Sequence, residues 1–346
     1  LLGQTVPLVS NFFSKERLSK ITGKMLFFST VGSFLGAVFA TLALMPTIGV
    51  HHTTSLNFVL LAFLVILLSK KKTSPTVIIC TLIAFAAMYM NSDDIMAKYK
   101  IRKNNEHHTI VAGTLKSGDR VLYLNRNNSS KYNDMREKHP YIEFAESVVI
   151  HPIMYSEKPK DILVIGAGGF TFGHEDKNNA YTYVDIDKDL LAISEKHILK
   201  EPIGENKKFV AKPARGFLSS TDQKYDVIYL DAYLGGISIP EHLITIEFFE
   251  QVKAHLKENG ILMTNFIQSP HFNNVFSRNI DNTMRAVFPH VTRTVIGDAY
   301  NLWSESETLM ANVAYIYRHE ENYDEGNIYT DNVNTVFFDK PKKLSP

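Results

Sequence analysis

The sequence predicts an α/β protein in which apolar helices precede a doubly wound sheet, and three observations carry that reading. Apolar residues crowd into the first 90 of the 346 positions. From Asp161 onward short apolar runs alternate with stretches of helical spacing, the order expected of strands and helices stacked in layers. Between these regimes lies Asp161-Ile-Leu-Val-Ile-Gly-Ala-Gly-Gly-Phe170, followed about twenty residues later by Tyr183-Val-Asp-Ile-Asp187, a strand-to-glycine turn paired with an acid-tipped second strand.

Met25 to Val50 contains no charge and at 1.5 Å per residue exceeds the ~30 Å of a bilayer's hydrocarbon core. Ser55 to Ser69 and Pro75 to Met90 are also apolar but offer only ~22 to 24 Å each, so they need local thinning or snorkelling of Lys70, Lys71 and Lys72. Residues 1–91 are thus expected to be a multi-pass membrane region of transmembrane helices, with a buried soluble hairpin as the competing reading of the two shorter segments. Gly32, Gly36 and Ala40 share one helical face and would admit another helix closely, which makes a homo-oligomer one expected partner. Lys15, Arg17, Lys20, Lys24 and Lys70 to Lys72 prefer the cytoplasmic side of a bacterial inner membrane, with His51 and His52 outside; the side of the later domain stays open. The opening Leu1-Leu-Gly-Gln-Thr suggests a fragment of a longer membrane domain.

Residues 92–135 read as a linker and a small β unit. His108 to Ala112 and Arg120 to Asn125 are β-rich, and Lys116-Ser-Gly-Asp119 is a good hairpin connection. Tyr141 to Ile150 has helical spacing and opens the third region, 136–346. There the predicted strands are 162–165, 181–186, 209–211, 226–230, 261–266, 291–296 and 313–317. Helices are expected over 190–198, 244–256 and 276–287, the second ended by Glu258-Asn-Gly260. Two closing strands without a full helix between them suit the seven-stranded, Rossmann-like sheet of methyltransferase-type domains.

The four apolar residues Ile162 to Ile165 suit a strand buried on both faces, and Gly166, Gly168 and Gly169 let the backbone turn sharply with its amides near a ligand. Asp185 is placed to bond ribose hydroxyls. The dinucleotide pattern G-x-G-x-x-G fails at Thr171, which favours an adenosylmethionine-type nucleoside over NAD. Asp231, ending Val227-Ile-Tyr-Leu-Asp231, falls at the carboxyl end of a strand, where open α/β sheets bind substrates.

A formal net charge of +1 and the lack of a basic patch with interleaved aromatics argue against nucleic acid as a partner. Cys80 is the sole cysteine, which excludes an intrachain disulfide and a cysteine-based zinc site. His107 and His108, adjacent in an expected strand, would face opposite ways, and no metal is expected.

The order of hairpin, helix, Val-Ile-Gly-Ala-Gly-Gly, Val-Asp-Ile-Asp, Tyr-Asp-Val-Ile-Tyr-Leu-Asp and Pro-Glu-His-Leu-Ile-Thr-Ile-Glu-Phe-Phe resembles the polyamine aminopropyltransferases, the spermidine synthase family, and most of all its membrane-tethered branch. The resemblance spans roughly residues 100–335. It implies transfer of an aminopropyl group from decarboxylated S-adenosylmethionine, as co-substrate, to putrescine or a related amine, releasing methylthioadenosine. It assigns Asp231 as the catalytic aspartate, Asp185 as the ribose ligand and Gly166, Gly168 and Gly169 as the nucleoside loop. Glu146 would help hold the amine, and Asp331, after Ile328-Tyr-Thr, would line the pocket.

The chain departs from the family pattern in several places. Lys212-Pro213-Ala214-Arg215 lacks the usual acid before Ala-Arg, Leu234 replaces a second aspartate, His107 and His108 replace a Tyr-Gln pair, and Ser129 stands near another family glutamine. The shared fold and these departures, respectively, keep two alternatives open. One is a methyltransferase using intact S-adenosylmethionine; the other is a membrane-anchored sensor that binds polyamine or nucleoside without chemistry.

Overall fold

Two helices and a π-helical turn between them form the start of the computed structural model, which describes residues 18–233, 239–297 and 309–318. Helix α1 (Leu18–Phe39) passes through the π segment Ala40–Leu44 into α2 (Met45–Leu68). Pro46 lies just past the wide turn; a proline has no N–H to give to the preceding turn, and a π-bulge is one way a helix absorbs that loss. Inside α2 the backbone breaks at Gly49, with φ 82° and ψ 165°. Thr22–Leu68 is the one helix among the described residues long and apolar enough to cross a membrane, and its most apolar stretch is not buried at all. Helix α3 (Pro75–Met90), capped by the Ser74 hydroxyl, is apolar but shorter.

The first expected span thus passes into the second across a break at Gly49 rather than through a loop at His51 to Thr54. Hydropathy alone suggested a loop there, but Thr53, Thr54 and Ser55 return their hydroxyls to the carbonyls of Gly49, Val50 and His51 four residues back. Such bonds satisfy polar side chains inside a helix without interrupting it. A Cβ on Gly32 or Gly36 would meet nothing within 4 Å, so no described part of the chain packs on that small-residue face.

The expected linker is partly ordered as α4 (Asp93–Lys98) and β1 (Ile101–Asn104). Strands β2 (Thr109–Thr114), β3 (Arg120–Leu124) and β4 (Asn127–Tyr132) complete a four-stranded sheet in the order β1-β2-β3-β4. The anticipated turn joins β2 to β3: Leu115 N–H donates to the Asp119 carbonyl at 2.8 Å, and Gly118 takes φ 91°. His107 and His108 precede the strand rather than entering it, and both backbone amides donate to the Asn105 side chain.

After α5 (Pro140–Val149) come β5 (Asp161–Ile165), β6 (Ala180–Asp185), the short α6 (Leu190–Ser194) with a π turn to Leu199, and β7 (Lys207–Ala211). Helix α7 (Ala214–Leu218), β8 (Tyr225–Leu230), α8 (Ile246–Ala254), β9 (Leu256–Gln268), α9 (Val275–Val287), β10 (Thr292–Ile296) and β11 (Ala311–Arg318) follow. The seven strands form one sheet in the order β10-β11-β9-β8-β5-β6-β7, with β11 antiparallel to both neighbours and the β9-β8-β5-β6-β7 pairs parallel. Ile162 to Ile165 are at most 1% exposed, as a central strand covered on both faces requires. One side of the core gathers Leu163, Leu230, Phe249, Phe266, Met284 and Tyr315.

Two boundaries differ from the sequence expectation. Thr245 caps α8 by accepting from Phe248 N–H, so the helix starts two residues late. Glu258-Asn-Gly260 is a bulge within β9 rather than a turn before it: Leu256 already pairs with Tyr225, and Ile261 resumes the register opposite Val227.

The described chain divides into two compact units. One comprises residues up to Ser129 together with Ala192–Ile198; the other comprises Ser130–Leu191 and the residues from Leu199 onward.

Candidate active site

Strand β5 ends in the glycine turn, and the turn is held by its neighbours on both sides. Gly166 N–H donates to the Val184 carbonyl of β6, while Asp231 N–H donates to the Ile165 carbonyl, both at 2.9 Å. Gly166 has φ 91°, and a Cβ there would lie 2.2 Å from the Asp231 carbonyl oxygen. Glycine is thus demanded twice, by its dihedral and by the backbone that crosses it. Ala167 N–H donates to Asp185 Oδ2 at 2.9 Å, Asp187 N–H to Asp185 Oδ1 at 3.1 Å, and Gly169 N–H to the Ser130 hydroxyl at 2.8 Å. Gly168 also has positive φ, at 49°. Gly166, Gly168, Gly169, Asp185 and Asp231 therefore come together at the carboxyl ends of β5, β6 and β8.

Asp231 sits among aromatic rings. Its Oδ2 accepts from the Tyr229 hydroxyl and its Oδ1 from Asn265 Nδ2, each at 3.2 Å. Tyr229 stacks on Phe172 with centroids 4.1 Å apart, and the Tyr233 hydroxyl bridges the Asn265 carbonyl and the Ile267 amide. Tyr141, from α5, and Tyr233 are both close enough to feel the Asp231 charge, which together with burial raises their phenols. Burial pushes the Asp231 carboxyl up to about 6, against the opposing pull of the Asn265 and Tyr229 donors. Among the described residues its partners are neutral, and the site offers a half-buried carboxylate beside aromatic side chains, an environment suited to a cation.

Glu146 is placed differently. Its two oxygens receive Lys138 Nζ at 2.6 and 2.7 Å, and Oε1 also accepts from Gly173 N–H at 2.5 Å. Lys138 Nζ reaches Glu175 as well, whose other oxygen accepts from the Tyr132 hydroxyl at 2.8 Å. Burial raises the Glu146 carboxyl despite Lys138; for Glu175 the Lys138 charge and the bonds from Lys138 and Tyr132 together outweigh burial and hold it low. An internal ammonium thus already occupies the carboxylate expected to hold a substrate amine. Asp331 and Leu234 lie outside the described residues, as do Phe337 and Phe338. Arg215 donates to Thr245 and lies over the Phe248 ring, and Lys212 meets Asp185 through its backbone.

Sequence reasoning missed Tyr229, Asn265, Tyr141, Ser130, Lys138 and Glu175. Asn265 had a usable signal: Leu230 pairs with Thr264, so the next residue on each strand, Asp231 and Asn265, shares the carboxyl edge of the sheet.

The sheet order with its single reversed strand defines a Rossmann-like domain of the methyltransferase type. Residues 143–302 match the spermine/spermidine synthase domain. The chain is 32% identical over 162 residues to a polyamine aminopropyltransferase of Vibrio vulnificus, covering 44% of this chain and 50% of that protein. It is 29% identical over 227 residues to one from Pyrobaculum calidifontis, covering 61% and 73%. The chain thus spans about half the length of the Vibrio relative. A probable spermidine synthase from Corynebacterium glutamicum superposes with a TM-score of 0.51 at 20% identity, over 64% of this chain and 81% of that one, and shares the fold.

Proposed function

We propose that this chain is a membrane-tethered aminopropyltransferase that moves the aminopropyl group of decarboxylated S-adenosylmethionine to putrescine or a related amine. The observation that carries the proposal is the seating of Asp231, with its carboxyl raised to about 6, directly across Gly166 from the loop that Asp185 braces. The relatives named polyamine aminopropyltransferases support the same chemistry.

An alkylamine with a lysine-like pKa of ~10.4 is free base in only about one molecule in 2,500 at pH 7. Asp231 binds the ammonium and accepts its proton as nitrogen attacks the propyl carbon beside the sulfonium. The new N–C bond forms as the C–S bond breaks, the sulfur takes the bonding pair, and neutral methylthioadenosine leaves without acid assistance. A carboxylate near 6 is a better base than one near 3.8 and is still mostly ionised at pH 7. Gly166, Gly168 and Gly169 present the loop to the nucleoside, and Asp185, beside them, takes the ribose hydroxyls; alignment supplies the rest.

The membrane reading rests on exposure. Leu26, Phe27, Phe34, Leu61, Phe63 and Leu68 are all more than half exposed on a helix with no described partner for those faces, which a bilayer would cover.

Purified protein in detergent, given decarboxylated S-adenosylmethionine and a panel of amines, should release methylthioadenosine stoichiometrically with a new secondary amine. Homocysteine-type product from intact S-adenosylmethionine instead would make it a methyltransferase. Nucleoside binding without either product would make it a sensor.

A further inference from the structure

We propose that His51, His52 and Asp93 form a binding site for a divalent transition cation of the zinc class, in the helical unit and separate from the transferase chemistry. The three side chains offer one ligand atom each, all within 4.8 Å of one another. His51 Nε2 lies 3.4 Å and His52 Nε2 3.3 Å from the same Asp93 oxygen, Oδ1.

Those distances discriminate between readings. An N–H···O hydrogen bond prefers about 2.9 to 3.0 Å, and a charge-assisted one is shorter still. The edge of a tetrahedron whose centre lies about 2.0 to 2.1 Å from each nitrogen or oxygen is about 3.3 to 3.4 Å. The two nitrogen–oxygen spacings are long for direct bonds and match two edges of such a tetrahedron, and the two nitrogens lie within 4.8 Å of each other.

The side chains rather than the backbone bring consecutive histidines to one ion, since His51 and His52 both lie on the helix that follows the break at Gly49. Neighbours on an unbroken helix diverge by about 100°. Here Gly49 leaves the helical region two residues earlier, and a Cβ at that position would meet the Asn104 carbonyl oxygen at 2.8 Å and the His51 ring at 3.1 Å. Past this break the two imidazoles lie with centroids 4.1 Å apart and both Nε2 atoms toward Asp93, which opens α4 after Ser92. Sequence reading placed no metal in the protein because it weighed only the His107-His108 pair; Asp93 is 41 residues beyond His52 and no motif spacing links them.

The donor set selects the ion. Two imidazoles and one carboxylate suit zinc, nickel, copper or iron(II), whereas magnesium and calcium favour all-oxygen shells. Access is open: the His52 and Asp93 side chains are 43% and 84% exposed, and His51 is 13% exposed. Lys103 is near enough to repel a cation weakly, so Lys103→Ala should tighten binding.

The test uses the full chain in detergent after chelator treatment, titrated calorimetrically with zinc and, separately, with magnesium. One zinc per chain should bind and magnesium should not. His52→Ala and Asp93→Ala, both at exposed positions, should each weaken zinc at least about tenfold while far-ultraviolet dichroism stays unchanged, since loss even of groups behind a ligand costs about 10- to 100-fold. Cobalt(II) should give the intense visible bands of tetrahedral coordination in the parent protein only. Equal zinc affinity in the double variant would assign the binding to other histidines and overturn the site, as would zinc binding matched by magnesium.

Discussion

Two carboxylate clusters in the same domain, each at least half-buried, have been given opposite treatment. Glu146 and Glu175 are closed off by Lys138, an ammonium from the chain itself, with Tyr132 and the Gly173 amide filling the remaining acceptor positions. Asp231 has only neutral donors, Tyr229 and Asn265, among the described residues. Both carry the desolvation cost of buried charge, but only the first has it offset internally. A carboxylate left unneutralised beside aromatic side chains is the one available to an incoming cation, and burial raises its pKa to about 6.

The widest separation between the clusters comes from neutralising Asp231. Asp231→Asn should lower turnover by the ~10² to 10⁴ typical of a lost general base and leave nucleoside affinity nearly unchanged. The same change should stabilise the fold. Because the native carboxyl is raised from 3.8 to about 6, the folded state holds its proton where the unfolded chain has already lost it. Stability therefore falls as pH rises from about 4 to about 6, and at pH 7 the ionised group costs up to about 3 kcal/mol. Removing it should raise the unfolding free energy read from urea titration by about 1 to 3 kcal/mol once the imperfect bonding of the new amide is allowed for. Undiminished turnover in this variant would remove the mechanism.

Lys138→Met should do the reverse. It strands two carboxylates that lose their shared cation, and breaking a buried pair from one side costs about 3 to 5 kcal/mol. Denaturant titration measures this directly. A variant as stable as the parent, with that stability dependent on added diamine, would turn the cluster into a second amine site and dissolve the contrast.

Asp185 sharpens the comparison from a third direction, since its partners are backbone amides at Ala167 and Asp187. Asp185→Ala removes a charge-assisted bond of ~1.5 to 3 kcal/mol to the ribose, so nucleoside affinity should drop about 10- to 150-fold by calorimetry. Turnover at saturating nucleoside should suffer far less than in Asp231→Asn.

How much of this was legible beforehand follows from what each residue depends on. Gly166, Asp185 and Asp231 lie at strand ends, and strand ends in a parallel sheet converge by topology, so a one-dimensional pattern of apolar run followed by glycine or acid locates them. Lys138, Glu175 and Tyr132 lie on connecting segments and the last strand of the small sheet, and nothing in their spacing announces that they meet. Strand β4, Asn-Asn-Ser-Ser-Lys-Tyr, lacks the alternation that marks a half-buried strand, and only pairing with the small sheet reveals it. Residues 51–55 looked like a polar loop because hydropathy cannot see hydroxyls bonding back along their own helix.

The finest distinction concerns how the free carboxylate is tuned. Asn265 Nδ2 donates to Asp231 and to the Asn312 side chain, so it stabilises the ionised form. With the parent enzyme, kcat/KM should fall about tenfold per pH unit as pH drops below about 6, because protonation removes the base. Asn265→Ala takes away one donor to the charged form, a loss of about 0.5 to 1.5 kcal/mol, and therefore moves that acidic limb upward by roughly 0.4 to 1 pH unit. Near pH 6.5 the variant should lose rate that it recovers at pH 8. A uniform loss across the profile would mean that Asn265 shapes the pocket without tuning its acid, and the raised pKa of Asp231 would then owe its value to burial alone.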